Sequence, residues 1–232
     1  MSIDLRRSAL HLATTLLLAS TAPLVHATPL NDGFGGAPYV DTPLAGTTSA
    51  ARPELAGTVL ADMNTPFAVG GATGVVQSRV VRETASGTLD FYWRVKTDPS
   101  DSADAVGALR LIDFGYLDLT DADWRSDGLG SVAPTTARLF NPTSYPTGAI
   151  NFLFGPDLGG GAGSSFFFLH TDATRYSQTA SYDLLDTPGG LSGLYATFAP
   201  AAPVPEPAPA AAWVLGLLGV GWLRARRGRA RD

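Results

Sequence analysis

Hydrophobic and polar residues alternate most regularly between positions 75 and 97. An apolar-rich run covers 75–83, a turn-forming sequence follows at 85–87, and a second run covers 88–97. The apolar residues of the second run are Leu89, Phe91, Trp93 and Val95. The residues between them are Asp90, Tyr92, Arg94 and Lys96. Because successive side chains of a strand point to opposite faces, this pattern predicts a β-hairpin whose second strand has one buried face and one solvent-facing face.

Further short apolar runs follow the hairpin, and Gly, Pro and Asn turn signals separate them about every ten residues. We predict strands at 106–114, 137–140, 149–154, 165–170, 176–184 and 194–198. Residues 28–74 are rich in Gly, Pro, Thr and Ala, and we predict loops there with one or two short strands. No stretch of residues 28–203 shows the sustained 3.6-residue period of an amphipathic helix. The spacing of the turns therefore favours an all-β fold, an antiparallel β-sandwich of the jelly-roll or Ig-like kind.

The first 27 residues have the pattern of a secretory signal peptide. Arg6 and Arg7 supply a positive start, residues 9–22 are apolar, and small residues precede a predicted cut between Ala27 and Thr28. We therefore expect export through the Sec translocon, with the twin-arginine route as the alternative. The chain has no cysteine, which excludes a disulfide framework and a lipoprotein anchor.

The C-terminal end combines an apolar segment with a basic cluster. Residues 208–223 carry no charge, and as a helix they would be about 24 Å long, slightly less than the hydrocarbon core of a bilayer. The arginines that follow are Arg224, Arg226, Arg227, Arg229 and Arg231. By the positive-inside rule they would hold this end in the cytoplasm and place the body on the other side of the membrane. The alternative is a core helix with a basic tail.

Val204, Pro205, Glu206 and Pro207 precede this segment, and the whole stretch 204–232 resembles the PEP-CTERM sorting signal. In that family of exported bacterial proteins the resemblance implies recognition and cleavage by a membrane-embedded exosortase, in species that make exopolysaccharide and biofilm matrix. The two prolines also favour an extended, accessible backbone at this motif. A proline-rich spacer is the alternative interpretation. The resemblance covers only the tail and assigns no role to the body.

Without its two ends the chain leaves a body at 28–203, a suitable size for one domain. The body has 9 basic and 18 acidic residues, a net charge of −9, and Lys96 is its single lysine. Nucleic acids and anionic lipids bind clustered Lys and Arg, so this balance argues against both as partners.

His170 is the only histidine of the body, and it ends an apolar run, so we predict a structural role for it. The chain has no Gly-x-Ser-x-Gly motif for a nucleophile, and with one histidine and no cysteine it lacks the N and S ligands typical of zinc sites. We therefore expect no enzyme activity and no cofactor. A glycosidase-like pair of carboxylates drawn from Asp90, Asp113 and the aspartates of the stretch 118–127 is a less favoured alternative.

The weak metal candidate is a calcium site at Asp118, Asp121, Asp123 and Asp127. Their spacing differs from the EF-hand pattern, so we favour aspartates that cap turns in an acidic loop. A sugar-stacking platform could draw on the aromatic residues Tyr92, Trp93, Tyr116, Trp124, Tyr145, Tyr176, Tyr182 and Tyr195, although most of these fit a packing role better.

These features together predict an exported surface or extracellular-matrix protein. Before processing it would be anchored in the inner membrane and face the periplasm, and afterwards it would reach the cell surface or the matrix. The alternatives are a secreted polysaccharide-binding module, with or without bound calcium, and a periplasmic hydrolase.

Overall fold

The computed structural model describes residues 28–30, 33–99, 104–115 and 119–201, and in this part of the chain the fold is all-β. The predicted signal peptide, the sorting motif at 204–207, the apolar segment and the five terminal arginines lie outside the described residues. The strands are β1 (Thr28–Pro29), β2 (Tyr39–Pro43), β3 (Gly57–Val69), β4 (Ala72–Glu83), β5 (Leu89–Thr97), β6 (Val106–Ile112), β7 (Leu119–Trp124), β8 (Pro134–Phe140), β9 (Ala149–Leu158), β10 (Phe167–Thr171), β11 (Tyr176–Asp186) and β12 (Tyr195–Pro200), with a short 3-10 helix at Pro53–Leu55.

The strands form two six-stranded sheets, and their pairings are antiparallel. The first sheet has the order β1-β7-β10-β5-β4-β3, and the second has the order β12-β11-β6-β9-β8-β2. Only some neighbours are consecutive in the sequence, as in the predicted hairpin β4–β5, which the structure confirms. Others, such as β10 with β5 and β7, join distant parts of the chain.

The facing sides of the two sheets share one large apolar core, and Trp93 is among its largest fully buried side chains. Its side chain is 1% exposed, and its ring stacks on Phe167 with the centroids 6.4 Å apart. The indole N–H donates a 2.9 Å hydrogen bond to Thr197 Oγ1 on β12. Trp93 therefore links the two sheets, and the prediction that it faces the core is confirmed.

The second face of β5 differs from the prediction. Asp90 and Tyr92 were expected in solvent, but they are 0% and 4% exposed. A second, smaller apolar cluster covers this outer face of the first sheet, and its buried members are Leu55, Val81, Tyr92 and Phe168. The alternation correctly predicts which side chains share a face. It does not reveal that another segment packs over that face.

The stretch 28–74 also differs from the prediction, because β3 is a continuous strand. It pairs with β4 from Gly57 opposite Glu83 to Val69 opposite Ala72. As the edge strand of the first sheet, β3 is largely exposed and carries Thr, Asn and Pro, residues that weaken its apolar pattern. Its pairing with β4 therefore decides its structure more than its own sequence does.

Candidate functional site on the outer face of the first sheet

The acidic stretch that was predicted as a loop is mostly a strand. β7 runs from Leu119 to Trp124 between β1 and β10, so the loop prediction is wrong for these residues. Asp121 and Asp123 are two residues apart and therefore share one face of β7. This is the outer face of the first sheet. Asp118 lies outside the described residues.

The three described aspartates of the calcium candidate are bound to donors. Asp121 accepts hydrogen bonds of 3.1 and 3.3 Å from the Arg52 guanidinium. Asp123 Oδ1 accepts from the backbone amides of Gly46 at 2.7 Å and Trp124 at 2.9 Å. Burial raises the pKa of Asp123, against the two amide hydrogen bonds, which lower it.

Asp127 follows β7 and lies at the surface. It forms a 2.8 Å ion pair with Arg125 and accepts hydrogen bonds of 2.7 Å from the amide and the hydroxyl of Ser49. The hydrogen bond from Arg125 holds the pKa of Asp127 well below its usual range. Together the three aspartates attach residues 44–56 to the sheet, and we call these residues the covering segment.

The covering segment runs beside the end of β7. The Thr47 amide donates to Trp124 O, and the Ser126 amide donates to Thr47 O, each at 2.8 Å. Gly46 has a φ of +82°, and a Cβ at this position would lie 2.4 Å from the Trp124 ring. The segment then carries Arg52 over the sheet, where its guanidinium lies 5.6 Å from the centroid of the Phe168 ring.

Beside this segment, three ionisable side chains from three adjacent strands come together. His170 on β10 is directly opposite Asp90 on β5, and Glu83 ends the neighbouring β4. His170 Nδ1 is 2.7 Å from Asp90 Oδ1 and 3.1 Å from Glu83 Oε1. The two carboxylate side chains are 0% exposed and the imidazole is 16% exposed. Among the described residues this is the one group of three His, Cys, Asp or Glu side chains spaced closely enough to hold a metal ion.

Hydroxyl groups fix the orientation of both carboxylates. Glu83 Oε2 accepts hydrogen bonds from the hydroxyls of Ser86 and Thr88. Asp90 Oδ2 accepts a long, 3.4 Å hydrogen bond from the Tyr92 hydroxyl. Both remaining oxygens therefore face His170 Nδ1. Of these, Glu83 Oε1 is buried and accepts no hydrogen bond from the described residues, although Nδ1 is close to it.

The electrostatics of this cluster reflect its burial. Desolvation raises the pKa of Asp90 to about 6, and the hydrogen bond and charge of His170 oppose that rise. Burial alone would lower the pKa of His170, but the hydrogen bond to Asp90 and the nearby acidic charges raise it. Because the pKa values of Asp90 and His170 are both raised, the cluster retains a proton more readily than the same groups would in water.

The sequence did not indicate this cluster, because His170 lies 80 residues after Asp90 and no local motif joins it to Asp90 and Glu83. His170 lies near the end of an apolar strand, as expected, one residue before the last residue of β10, Thr171. The prediction did not include Asp90 and Glu83 as its neighbours. The pairing of β10 with β5, and of β5 with β4, brings these two carboxylates close to His170. Of the aspartates considered for a glycosidase pair, Asp113 follows β6 of the second sheet, whereas Asp90, Asp121 and Asp123 lie on strands of the first sheet.

The same outer face also carries an open groove of about 350 Å³. Two guanidinium groups line it, those of Arg79 and Arg125, beside the ring of Phe166. The Arg79 guanidinium lies 4.9 Å from the centre of that ring and pairs with Asp62 at 2.6 Å. The exposed side chain of Leu129 forms part of the wall. Arg125 pairs with Asp127 in the same way, so the groove places two ion pairs next to apolar surface.

The predicted aromatic platform is not a single surface. Trp93 and Tyr182 are buried in the core between the sheets, and Tyr145 is exposed beside Phe140. Trp124, Tyr176 and Tyr195 are half-buried, and Tyr116 lies outside the described residues. Only Tyr92 from that set lines the groove, together with Phe166, which the prediction did not include.

No helix within the described part of the chain has the length and apolar character needed to cross a membrane. The chain matches no protein-family model, and neither the curated proteins nor the solved structures contain a match to it.

Proposed function

We propose that this chain is an exported, non-enzymatic protein of the bacterial cell envelope that acts at the cell surface or in the extracellular matrix. In this proposal a signal peptide is removed before Thr28 after passage through the Sec translocon. The segment 204–232 then holds the protein in the inner membrane through residues 208–223. An exosortase recognises Val204–Pro207 and cleaves the tail. The body is a β-sandwich of the jelly-roll or Ig-like kind.

The position of the folded body between the two signals carries this proposal. β1, Thr28–Pro29, follows the predicted cut and pairs with β7. β12 ends at Pro200, four residues before Val204. The strands of the described part therefore lie between the two sequence signals, within residues 28–200.

Two measurements on the full chain, expressed in a bacterium that has an exosortase, test export. Mass spectrometry should find an N-terminus at Thr28, and a protease added outside the inner membrane should digest the body. As a control, Ala27→Arg should block the cut and retain the longer form. An N-terminus at Met1, with a body protected in the cytoplasm, would refute the proposal.

A second candidate function, binding of an acidic polysaccharide, is favoured by the groove on the outer face. The body is acidic overall, yet Arg79 and Arg125 both line this one depression. Guanidinium groups bind carboxylates through paired hydrogen bonds, and the apolar wall could contact a sugar ring. The class of ligand that fits is a polymer containing uronic acids.

Affinity electrophoresis of the full chain in detergent tests this candidate. A gel containing polyuronate should slow the protein, and a gel containing neutral glucan should not. Arg79→Ala combined with Arg125→Ala should remove the effect. The matched control is Arg110→Ala combined with Arg138→Ala, which removes two guanidiniums that pair with Asp183 and Asp41 on the second sheet. Equal retardation of both double variants would exclude the groove as the binding site.

A further inference from the structure

We propose that Glu83, Asp90 and His170 form a binding site for one divalent transition-metal ion of the zinc or manganese class. Each residue offers one ligand atom, and the three atoms lie within 4.8 Å of one another. The site lies on the outer face of the first sheet, where three adjacent strands supply one ligand each. None of its three residues belongs to the calcium candidate, although Asp121 of that set lies opposite His170.

The distances between the ligand atoms suit a metal ion. Imidazole nitrogen and carboxylate oxygen bind zinc at about 2.0 to 2.2 Å, so ligand atoms are about 3.4 Å apart around a tetrahedral ion and about 3 Å apart at right angles around an octahedral one. His170 Nδ1 is 2.7 Å from Asp90 Oδ1 and 3.1 Å from Glu83 Oε1. An ion could therefore bind with only small movements of the side chains.

The second observation is the unsatisfied oxygen of Glu83. Oε1 is buried, points into the cluster and accepts no hydrogen bond from the described residues. The proton on His170 Nδ1 can be directed at only one carboxylate, and Asp90 is the closer one. A bound cation would contact Oε1, Oδ1 and Nδ1 at the same time, which removes the cost of leaving a buried acceptor without a partner.

The charges also match a divalent ion. With a neutral imidazole the two fully buried carboxylates carry a charge of −2, which one divalent cation neutralises. Metal ions bind the neutral form of imidazole. The neighbouring charges of Arg52 and Asp121 form an ion pair with each other at 3.1 Å.

Outer hydrogen bonds hold the ligands in place. The hydroxyls of Ser86 and Thr88 bind the other oxygen of Glu83, and the Tyr92 hydroxyl binds the other oxygen of Asp90. Such contacts to carboxylate ligands are typical of metal sites, because they orient the ligands before the ion arrives.

The ligand set selects the class of metal. An imidazole nitrogen beside two carboxylates suits zinc or manganese, whereas calcium prefers a shell of six to eight oxygens. Three protein ligands leave at least one coordination position for water, and the partly exposed His170 marks the side from which an ion can enter. The sequence analysis considered histidine and cysteine as zinc ligands, and this proposal adds two buried carboxylates to the histidine.

Metal titration of the full chain, purified in detergent and stripped with a chelator, tests the proposal. We expect one zinc or manganese ion per chain by calorimetry and a rise of several degrees in the melting temperature, because the ion binds only the folded state. Calcium at the same concentration should give neither effect. Cobalt added in place of zinc should show the visible absorption of a site with a nitrogen ligand.

Glu83→Gln and His170→Asn should each weaken binding at least tenfold. Asp62→Asn is the control, since it removes one exposed carboxylate from the same sheet and should leave the affinity unchanged. If Glu83→Gln fails to fold, His170→Asn alone decides, because its imidazole is already partly exposed. Absence of binding by the unmodified chain would overturn the proposal, and so would equal affinity in His170→Asn and Asp62→Asn.

Discussion

The two faces of the first sheet consist of the same strands, but different partners cover them. The inner face packs against the second sheet through large apolar side chains such as Phe91, Trp93 and Phe167. The outer face is covered only in part, and it buries Glu83 and Asp90 beside a small apolar cluster. One strand, β5, contributes to both. The comparison indicates that apolar burial stabilises the inner face and that charge pairing organises the outer one.

This difference affects how each face should respond to substitution. On the inner face the free energy of unfolding depends on volume and contact, because the interior is closely packed. On the outer face it depends on whether each buried charge keeps its partner, because an unpaired buried charge is costly. Function is more easily placed on the outer face, where polar groups are both oriented and close to solvent.

The largest effect should come from Trp93→Ala. Removing a buried tryptophan costs about 3 to 5 kcal/mol, and here Thr197 also loses its hydrogen-bond donor. Lys96→Ala, on the same strand but half-buried at the other face, should change stability by about 0.5 kcal/mol or less. Denaturant unfolding of both variants measures this difference. Equal losses of stability would contradict the placement of Trp93 on the core face of β5 and of Lys96 on its opposite face.

The next effect should come from Arg52→Ala, which leaves Asp121 without its cation under the covering segment. We expect a loss of about 2 to 3 kcal/mol in the free energy of unfolding. The control is Arg138→Ala, which breaks an exposed pair with Asp41 and should cost about 1 kcal/mol or less. If both substitutions cost the same, the outer face gains nothing from burying its ion pair.

A smaller effect is expected from Gly46→Ala. The new Cβ would lie 2.4 Å from the Trp124 ring, and the backbone has a φ of +82°. Gly87→Ala shares the positive φ, +76°, but meets no atom within 4 Å. Gly87→Ala should therefore report backbone strain alone, about 1 kcal/mol, and Gly46→Ala should exceed it by about 1 kcal/mol or more. Thermal unfolding of the two variants separates strain from contact with the covering segment.

The smallest effect concerns pH. The Arg125 hydrogen bond holds the pKa of Asp127 below its unfolded value, so its contribution is present above about 3.9 and is lost as the pH falls through the folded pKa. Asp127→Asn should therefore reduce stability slightly at neutral pH, and the difference from the unmodified chain should shrink below pH 4. A difference in stability that grows as the pH falls would contradict the lowered pKa of Asp127. Melting temperatures at several pH values measure it.

The sequence predicted the parts of the fold in which local pattern and tertiary packing agree. The hairpin β4–β5 and the buried position of Trp93 follow from simple alternation, and turn signals located most later strands. The long edge strand β3 could not be predicted, because its side chains are mostly exposed and its neighbour β4 determines its structure. β7 was missed because aspartate disfavours strands, and here Asp121 and Asp123 are stabilised by Arg52 and by the Gly46 amide.

The candidate site was less accessible to prediction than the fold. His170 attracted attention only as an isolated histidine, since nothing in the sequence indicates that β10 pairs with β5 and places Asp90 opposite it. The covering segment contributes no strong pattern of its own, and yet it turns a solvent-facing surface into a partly closed one. Contacts between distant segments therefore create the site, and they are the information that one sequence lacks.

The central claim is that the chain is exported and then sorted at Val204–Pro207. The most direct test replaces Pro205, Glu206 and Pro207 together with alanine, in a host that has an exosortase. This change keeps the apolar length and the arginines, so any effect reports the motif and not membrane anchoring. Pro203→Ala combined with Pro209→Ala is the matched control.

Gel analysis of separated membranes and medium gives the result. We predict that the unmodified chain and the control are shortened at the C-terminus and leave the inner membrane, while the triple variant accumulates there at full length. Identical processing of the triple variant and the unmodified chain would contradict the claim.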